Sequence, residues 1–254
     1  MNGKKTRRKS SGTILYFPIA VLLILCLAVF GISAFLKIQK IEVSGNLLYA
    51  AGNIIEEAGI SQGDNMLLIN AGAIAEKIRA AMPFISDVRV TRVFPDSIHI
   101  KVSESAATAV IKYQNQALII DSAGRILQSE NAAPSGLIEI RGFTPVNPEE
   151  GKTLKTEVGG ETRLQYLTEV LKAMESAGIC GDVSYLDVAN IANITFGYAD
   201  KYTVILGGSS DVQHKLSQLT SRIITEIEGR EPAGTTGTLN MSDPSGRWTW
   251  NADM

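Results

Sequence analysis

Residues Ile14 to Leu36 read ILYFPIAVLLILCLAVFGISAFL, an apolar run without a single charge. No other stretch limits the chain as strongly. As a helix the run extends roughly 35 Å at about 1.5 Å per residue, against about 30 Å of bilayer hydrocarbon. A helix satisfies its own backbone hydrogen bonds, which hydrocarbon demands. Pro18 falls in the first turns, where a missing N–H costs least. The competing reading is a cleaved signal peptide, whose apolar core usually runs about 7–15 residues and ends in a small-x-small site. Ser33-Ala34-Phe35-Leu36 is a poor match to such a site. The expectation is an uncleaved, single-pass transmembrane helix over 14–36. Ahead of it, Lys4, Lys5, Arg7, Arg8 and Lys9 make residues 1–13 a short basic tail. The positive-inside rule keeps such a tail cytoplasmic, although Lys37 and Lys40 dilute the contrast. The large C-terminal part then lies outside the membrane.

Charge separates the tail from the rest. The chain has 24 Lys+Arg and 26 Asp+Glu, yet no acid precedes Glu42. Beyond the tail the chain is mildly acidic, so no basic surface for nucleic acid is expected. A hydrophobic fraction of 45% excludes wholesale disorder. Cys26 lies inside the apolar run and Cys180 far beyond it, so the two are not expected to pair, and no metal-type spacing is present.

After the membrane run, Ile41 and Val43 alternate with Lys40, Glu42 and Ser44, the period of a half-buried strand. Gly45-Asn46 marks a turn. Asn53 is placed to cap a short helix carrying Ile54, Ile55 and Ala58, and Gly59 to stop it. Asn70 is placed to cap a second helix over Ala71 to Ala81, with Ile74, Ile78 and Ala81 on one face. Pro83 ends it. Val88 and Val90, then Ile98, Ile100 and Val102, alternate in two strands joined by the turn Phe94-Pro95-Asp96-Ser97. The order is β-α-α-β-β over 38–104.

Here the chain resembles a known family. IEVSGN, NMLLIN, MPFISDVRV and RVFPDSIHIKVSE look like a POTRA domain, and a basic tail plus one membrane helix ahead of it is similar to the bacterial cell-division proteins of the FtsQ/DivIB family. One departure is visible: Glu104 runs into Ser105-Ala106-Ala107, where the family has a basic residue and a proline.

Residues 105–254 are richer in strands. Ala109–Ile111 and Ala117–Ile120 flank the turn Gln114-Asn115, and Asp121–Gly124 turns into Arg125–Leu127. Two turns about ten residues apart predict an antiparallel meander. Leu137–Ile140, Val183–Val188, Ile194–Phe196 and Tyr202–Leu206 read as further strands. A helix is expected from Glu161 to Ala177, with Leu164, Leu167, Leu171 and Met174 inward. Another is expected from Asp211 to Glu228, capped at Ser209 or Ser210, with Val212, Leu216, Leu219, Ile223 and Ile227 inward. Thr238–Met241 and Arg247–Trp250 read as two final short strands. The expected class is α+β: one N-terminal transmembrane helix, a POTRA domain, and a mixed, mainly antiparallel β domain with two helices. IIDSAGRIL and YLDVANIANITF are similar to the β domain of the same family.

Catalytic patterns are missing from this sequence. Gly151-Lys152-Thr153 lacks the earlier glycine of a phosphate loop, because position 146 is Val. His99 sits on the Lys101 and Ser103 side of its strand, facing water, and His214 opposite its helix stripe. No Ser-x-x-Lys, GxSxG or HExxH occurs. No catalytic residue, cofactor or metal is expected, and the reading is a binding protein rather than an enzyme.

Antiparallel sheets with an open edge can accept a partner's strand. The expected edge is Thr238, Leu239, Asn240 and Met241, with Trp248 and Trp250 just beyond as interface anchors or as the last pieces of the core. The resemblance implies that this C-terminal edge captures the extracytoplasmic part of coiled-coil partners of the FtsL and FtsB/DivIC type. It also implies contact with other divisome members, at the division septum of the bacterial inner membrane, in control of septal peptidoglycan synthesis. Two alternatives stay open: a POTRA-bearing adaptor in secretion or envelope assembly, and a membrane-anchored wall enzyme with an unrecognised site.

Overall fold

Hydrophobic patterning organises this chain into one apolar helix and two compact units. The computed structural model describes residues 12–253 apart from Ser209 and Pro244; side chains at 12–15, 28–30 and 32–35 are not described. The basic residues Lys4 to Lys9 lie outside the described residues. Helix α1 runs Gly12–Phe35 with Pro18 inside it. Its described side chains from Tyr16 to Leu27 are exposed, Leu22, Leu23 and Ile24 each by 60% or more. Among the described residues, no helix is long and apolar enough to cross a membrane. The transmembrane span read from the sequence is therefore not shown by the fold.

The first unit contains the residues up to Ile78 together with Asp87–Ser103. Strand β1 (Lys40–Ser44) leads to α2 (Ala51–Ala58), a 3-10 turn at Met66–Leu68, and α3 (Ala71–Ala81). Strands β2 (Ile85–Val93) and β3 (Ser97–Glu104) come next, which is the expected β-α-α-β-β order. The sheet order is β1-β3-β2, with β1 and β3 parallel from Lys40 opposite Ser97 to Ser44 opposite Lys101. Alternation works as the sequence implies: Ile98, Ile100 and Val102 are buried, as are Ile54 and Ala58 of α2 and Ile74 and Ile78 of α3.

A side-chain cap marks the start of α3 but not of α2. Asn70 does cap α3, its Oδ1 accepting from the Ala73 N–H at 3.2 Å. Asn53 does not cap α2. That helix starts three residues earlier, with Ala50 at its N-cap, and the Asn53 N–H donates to Ala50 O. Gly59 closes α2 in the left-handed conformation, as expected. Gly45 is required after β1: its φ is +82°, and a Cβ there would lie 2.1 Å from Val102 O.

The second unit contains Arg79–Ser86 and the residues from Glu104 onward. Its strands are β4 (Ala109–Tyr113), β5 (Gln116–Ile120), β6 (Ile126–Glu130), β7 (Ile138–Arg141), β8 (Val183–Asp187), β9 (Ile194–Tyr198), β10 (Tyr202–Gly207), β11 (Gly237–Asn240) and β12 (Thr249–Ala252). They form one nine-stranded sheet, ordered β12-β11-β10-β9-β8-β7-β4-β5-β6. The β4-β5-β6 meander is antiparallel as expected. So are β8-β9-β10 and β11-β12. The joins β4-β7, β7-β8 and β10-β11 are parallel, which makes the sheet mixed but mainly antiparallel. The class is α+β, with a POTRA-like unit and a large sheet.

Helix α4 (Glu161–Ala177) has the bounds the sequence implies and buries Leu167, Val170, Leu171 and Met174. Leu164 of the expected stripe is only partly buried. The expected helix over 211–228 forms as three consecutive pieces: α5 (Val212–Gln218), a widened π-turn at Leu219–Ile223, and α6 (Ile224–Glu228). Its stripe Val212, Leu216, Leu219, Ile223 and Ile227 is buried throughout. The serine cap is not observed. Asp211 holds the N-cap position at φ +57° with no side-chain cap bond, and Ser209 lies outside the described residues. Gly151–Thr153 is loop backbone paired with β6: the Ile126 N–H donates to Lys152 O, and the Gly151 N–H to Ile126 O.

Candidate docking edge at the final strand pair

The sequence places the open edge at Thr238–Met241. The structure moves it one strand outward. β11 is covered on both sides, in parallel by β10 (Val204 opposite Leu239) and antiparallel by β12 (Leu239 opposite Trp250). Of the expected site residues, Leu239 and Met241 are buried in the core, and Thr238 and Asn240 are half-buried. None of the four borders the open edge. β12 does, and the physical reason is the return of the chain: after Met241 it turns through a loop and comes back antiparallel to β11.

The register decides which backbone groups β12 leaves free. In an antiparallel pair, alternate residues turn both N–H and C=O toward the partner strand. The Asp253 N–H donates to Thr236 O at 2.9 Å, so Asp253, Asn251 and Thr249 face β11. On the other side of β11, the Gly237 and Met241 N–H groups donate to Lys201 O and Ile205 O, which fixes the same alternation. Trp250 and Ala252 therefore present their N–H and C=O groups outward, away from β11.

Trp250 closes the core at this border. Its ring meets Tyr202 edge-on, with centroids 5.5 Å apart and planes at 65°. It lies across Gly237, where an added Cβ would come within 2.5 Å of the indole. Its Nε1 is buried with no hydrogen-bond partner among the described residues. Buried indole N–H groups usually find an acceptor, so this border carries an unmet donor. Trp248 is also half-buried against the core. Both tryptophans thus finish the core, and both stand beside the edge.

Behind the edge is a cleft of about 260 Å³, lined by Asp211, His214 and Lys215 of the helix and by Met241, Arg247 and Trp248 of the β11–β12 loop. Lys215 is buried, and its Nζ donates to Leu206 O at 2.7 Å. Burial pushes its pKa below the usual lysine range, and Asp211 partly offsets this. Arg247 pairs with Asp243 at 3.1 Å on the surface. A larger cavity, about 550 Å³, lies elsewhere, around Phe143, Val158 and Arg163, remote in sequence from the strand pair.

The histidines are placed apart. His214 is exposed and bonds Gln218 at 2.9 Å. His99 is half-buried rather than facing water, because β1 lies beside it and Ser44 Oγ is 2.8 Å from its ring. Among the described residues, no three of His, Cys, Asp and Glu gather closely enough to hold a metal ion. Cys26 and Cys180 are both free.

A POTRA-like unit, continued in the chain by a sheet that ends in an exposed strand, defines a POTRA-bearing protein with an open sheet edge. Residues 36–105 match the POTRA domain of the FtsQ type. Across both units, the chain is 27% identical over 209 residues to the cell division protein DivIB of Clostridium acetobutylicum, covering 82% of this chain and 80% of that one. It is 24% identical over 191 residues to the cell division protein FtsQ of Streptomyces bingchenggensis, covering 74% and 69%. A solved extracytoplasmic domain of the cell division protein DivIB from Geobacillus stearothermophilus aligns at TM-score 0.32 and 17% identity, over 51% of this chain and 98% of that one. The likeness to the FtsQ/DivIB family read from the sequence is borne out. These relatives support a role in cell division.

Proposed function

We propose that this chain is a membrane-anchored, non-enzymatic scaffold of the bacterial divisome, held by α1 with its two units outside the inner membrane at the septum. It binds coiled-coil partners of the FtsL and FtsB/DivIC type and so helps to control septal peptidoglycan synthesis. The observation that carries the docking role is β12: an exposed outer strand whose Trp250 and Ala252 backbone groups face outward. A partner strand adds there by main-chain hydrogen bonding, with side chains setting specificity. Thr238, Leu239, Asn240 and Met241 support this surface from beneath, and Trp248 and Trp250 border it.

The test removes one outward donor while leaving the β11 ladder intact. Ala252→Pro deletes an N–H that faces away from β11, at an exposed position, and holds Asn251 in the extended region it already occupies. Purified Ala252→Pro protein is expected to keep its circular dichroism spectrum and lose about three- to tenfold in affinity for the FtsB/DivIC-type partner, the size of one net hydrogen bond. Equal capture by both proteins sinks the edge assignment.

A further inference from the structure

We propose that the end of the first unit nearest α1 seats in the membrane, its apolar rim resting in the lipid surface around the point where the chain leaves the bilayer. This inference rests on α1 being the membrane anchor.

Outside α1, the exposed large apolar side chains among the described residues are Leu47, Leu48, Leu67, Leu68, Val93, Phe94 and Val158. Four of these seven gather at one place, which separates them from ordinary scatter. Leu67 and Leu68 belong to the 3-10 turn, exposed by 51% and 84%. That turn is tied to the last residues of the apolar run. The Met66 N–H donates to Leu36 O at 2.9 Å, and Lys37 bridges antiparallel to Asn65. The Ile38 N–H donates to Asp64 O, and the Gly63 N–H returns to Ile38 O. Val93 and Phe94 arrive from the sheet. Val93 ends β2 and Phe94 opens the turn after it, which is fastened to the same exit, because the Gln39 and Lys40 N–H groups both donate to Asp96 O. The Arg92 guanidinium closes the ring by donating to Met66 O and Ile69 O, which joins the end of β2 to the 3-10 turn.

Backbone bonds therefore hold the four side chains within a few residues' reach of Leu36, where the apolar run stops. Leu47 and Leu48 lie at the opposite end of β1. Charge does not draw this end to an anionic surface: Lys37, Lys40 and Arg92 are matched by Glu42, Asp64 and Asp96. The attraction is apolar burial at the headgroup boundary, where such surfaces settle about 5–10 Å deep. A seated base restricts how the first unit tilts on its tether.

The experiment uses the full chain in phosphatidylcholine nanodiscs, with Cys26→Ser and Cys180→Ser as background. A single spin-labelled cysteine is placed at Leu25, Leu47, Leu68 or Phe94, all exposed positions that tolerate the change. The readout is collision with oxygen, which prefers lipid, relative to a water-soluble nickel chelate. The expected ratio at Leu68 and Phe94 is several-fold above that at Leu47 and approaches that at Leu25. If Leu25 is lipid-exposed while Leu68 and Phe94 match Leu47, the seating is wrong and the anchor stands. If Leu25 itself reads as water-exposed, anchor and seating both fall.

Discussion

Lys215 shows how much one buried charge is asked to tolerate in the cleft it shares with the β11–β12 loop. Its ammonium has Leu206 O at 2.7 Å and little water. Burial lowers its pKa from the ordinary 10.5, with Asp211 opposing the shift. The folded chain therefore holds this proton less firmly than the unfolded chain does. The sign comes from linkage: where the unfolded state binds more protons, stability rises with pH. The penalty is complete below the folded-state value and fades as the pH climbs through it toward 10.5. Tyr198 and Tyr202 act in the opposite sense. Burial first, then the neighbouring acids, raise both phenols above the usual 10, so their share of stability is lost as the medium becomes more alkaline. That loss is common to wild type and to Lys215→Met and cancels in their difference. Urea unfolding from about pH 8 upward is expected to show the wild type gaining on Lys215→Met as pH rises. Parallel curves sink the assignment of a strained ammonium here.

At the scale of elements, β11 and β12 have separable jobs. The Asn240 N–H faces β12, since Asn240 lies opposite Thr249 in the register that turns Thr238 and Asn240 outward from β10. Asn240→Pro therefore breaks the β11–β12 ladder itself. β12 detaches, and Trp250 leaves Tyr202 and Gly237. The expected result is a red shift and loss of tryptophan emission structure together with a lower unfolding midpoint, whereas Ala252→Pro leaves both unchanged. If the two prolines behave alike spectroscopically, the alternation argued for β12 is wrong. The same pair shows what the sequence could reveal. The first unit was legible because each element carries its own local signal: alternation at Ile98, Ile100 and Val102, a cap at Asn70, a stop at Gly59. Two final strands were legible, but the structure shifts the expected Arg247–Trp250 to Thr249–Ala252, leaving Arg247 and Trp248 in the loop, and places the expected Thr238–Met241 at Gly237–Asn240. Which of them borders the sheet was not legible, because pairing is a contract between residues far apart in the chain. The parallel joins β4-β7-β8 and β10-β11 stayed hidden for that reason, and with them the fact that β11 is interior. Asn53 misled in the opposite way. A good capping residue stood two positions inside a helix whose start was set by packing of Ile54 and Ala58.

For the whole molecule, the function proposed above assigns α1 and β12 different parts of one binding event. An exposed strand of four residues, Thr249–Ala252, offers few main-chain bonds. An edge that short binds weakly on its own, since each net hydrogen bond contributes only about 0.5–1.5 kcal/mol. Under that proposal, confinement to one membrane with the partners would raise their effective concentration without any new contact. Weak docking and strong localisation are then compatible, and neither unit needs a tight interface. A fluorescent fusion of the full chain is expected to gather at midcell. Replacing residues 14–36 by an unrelated transmembrane helix should preserve that, because the helix acts through confinement and not through its own sequence. Exporting the same two units as a soluble protein should disperse the signal, even though the purified soluble form still captures partner at high concentration. Combining Ala252→Pro with the intact anchor should weaken the midcell signal without abolishing it, because the edge then lacks one of its few main-chain donors. Midcell gathering by the untethered units, equal to that of the full chain, would falsify the division of labour between helix and strand.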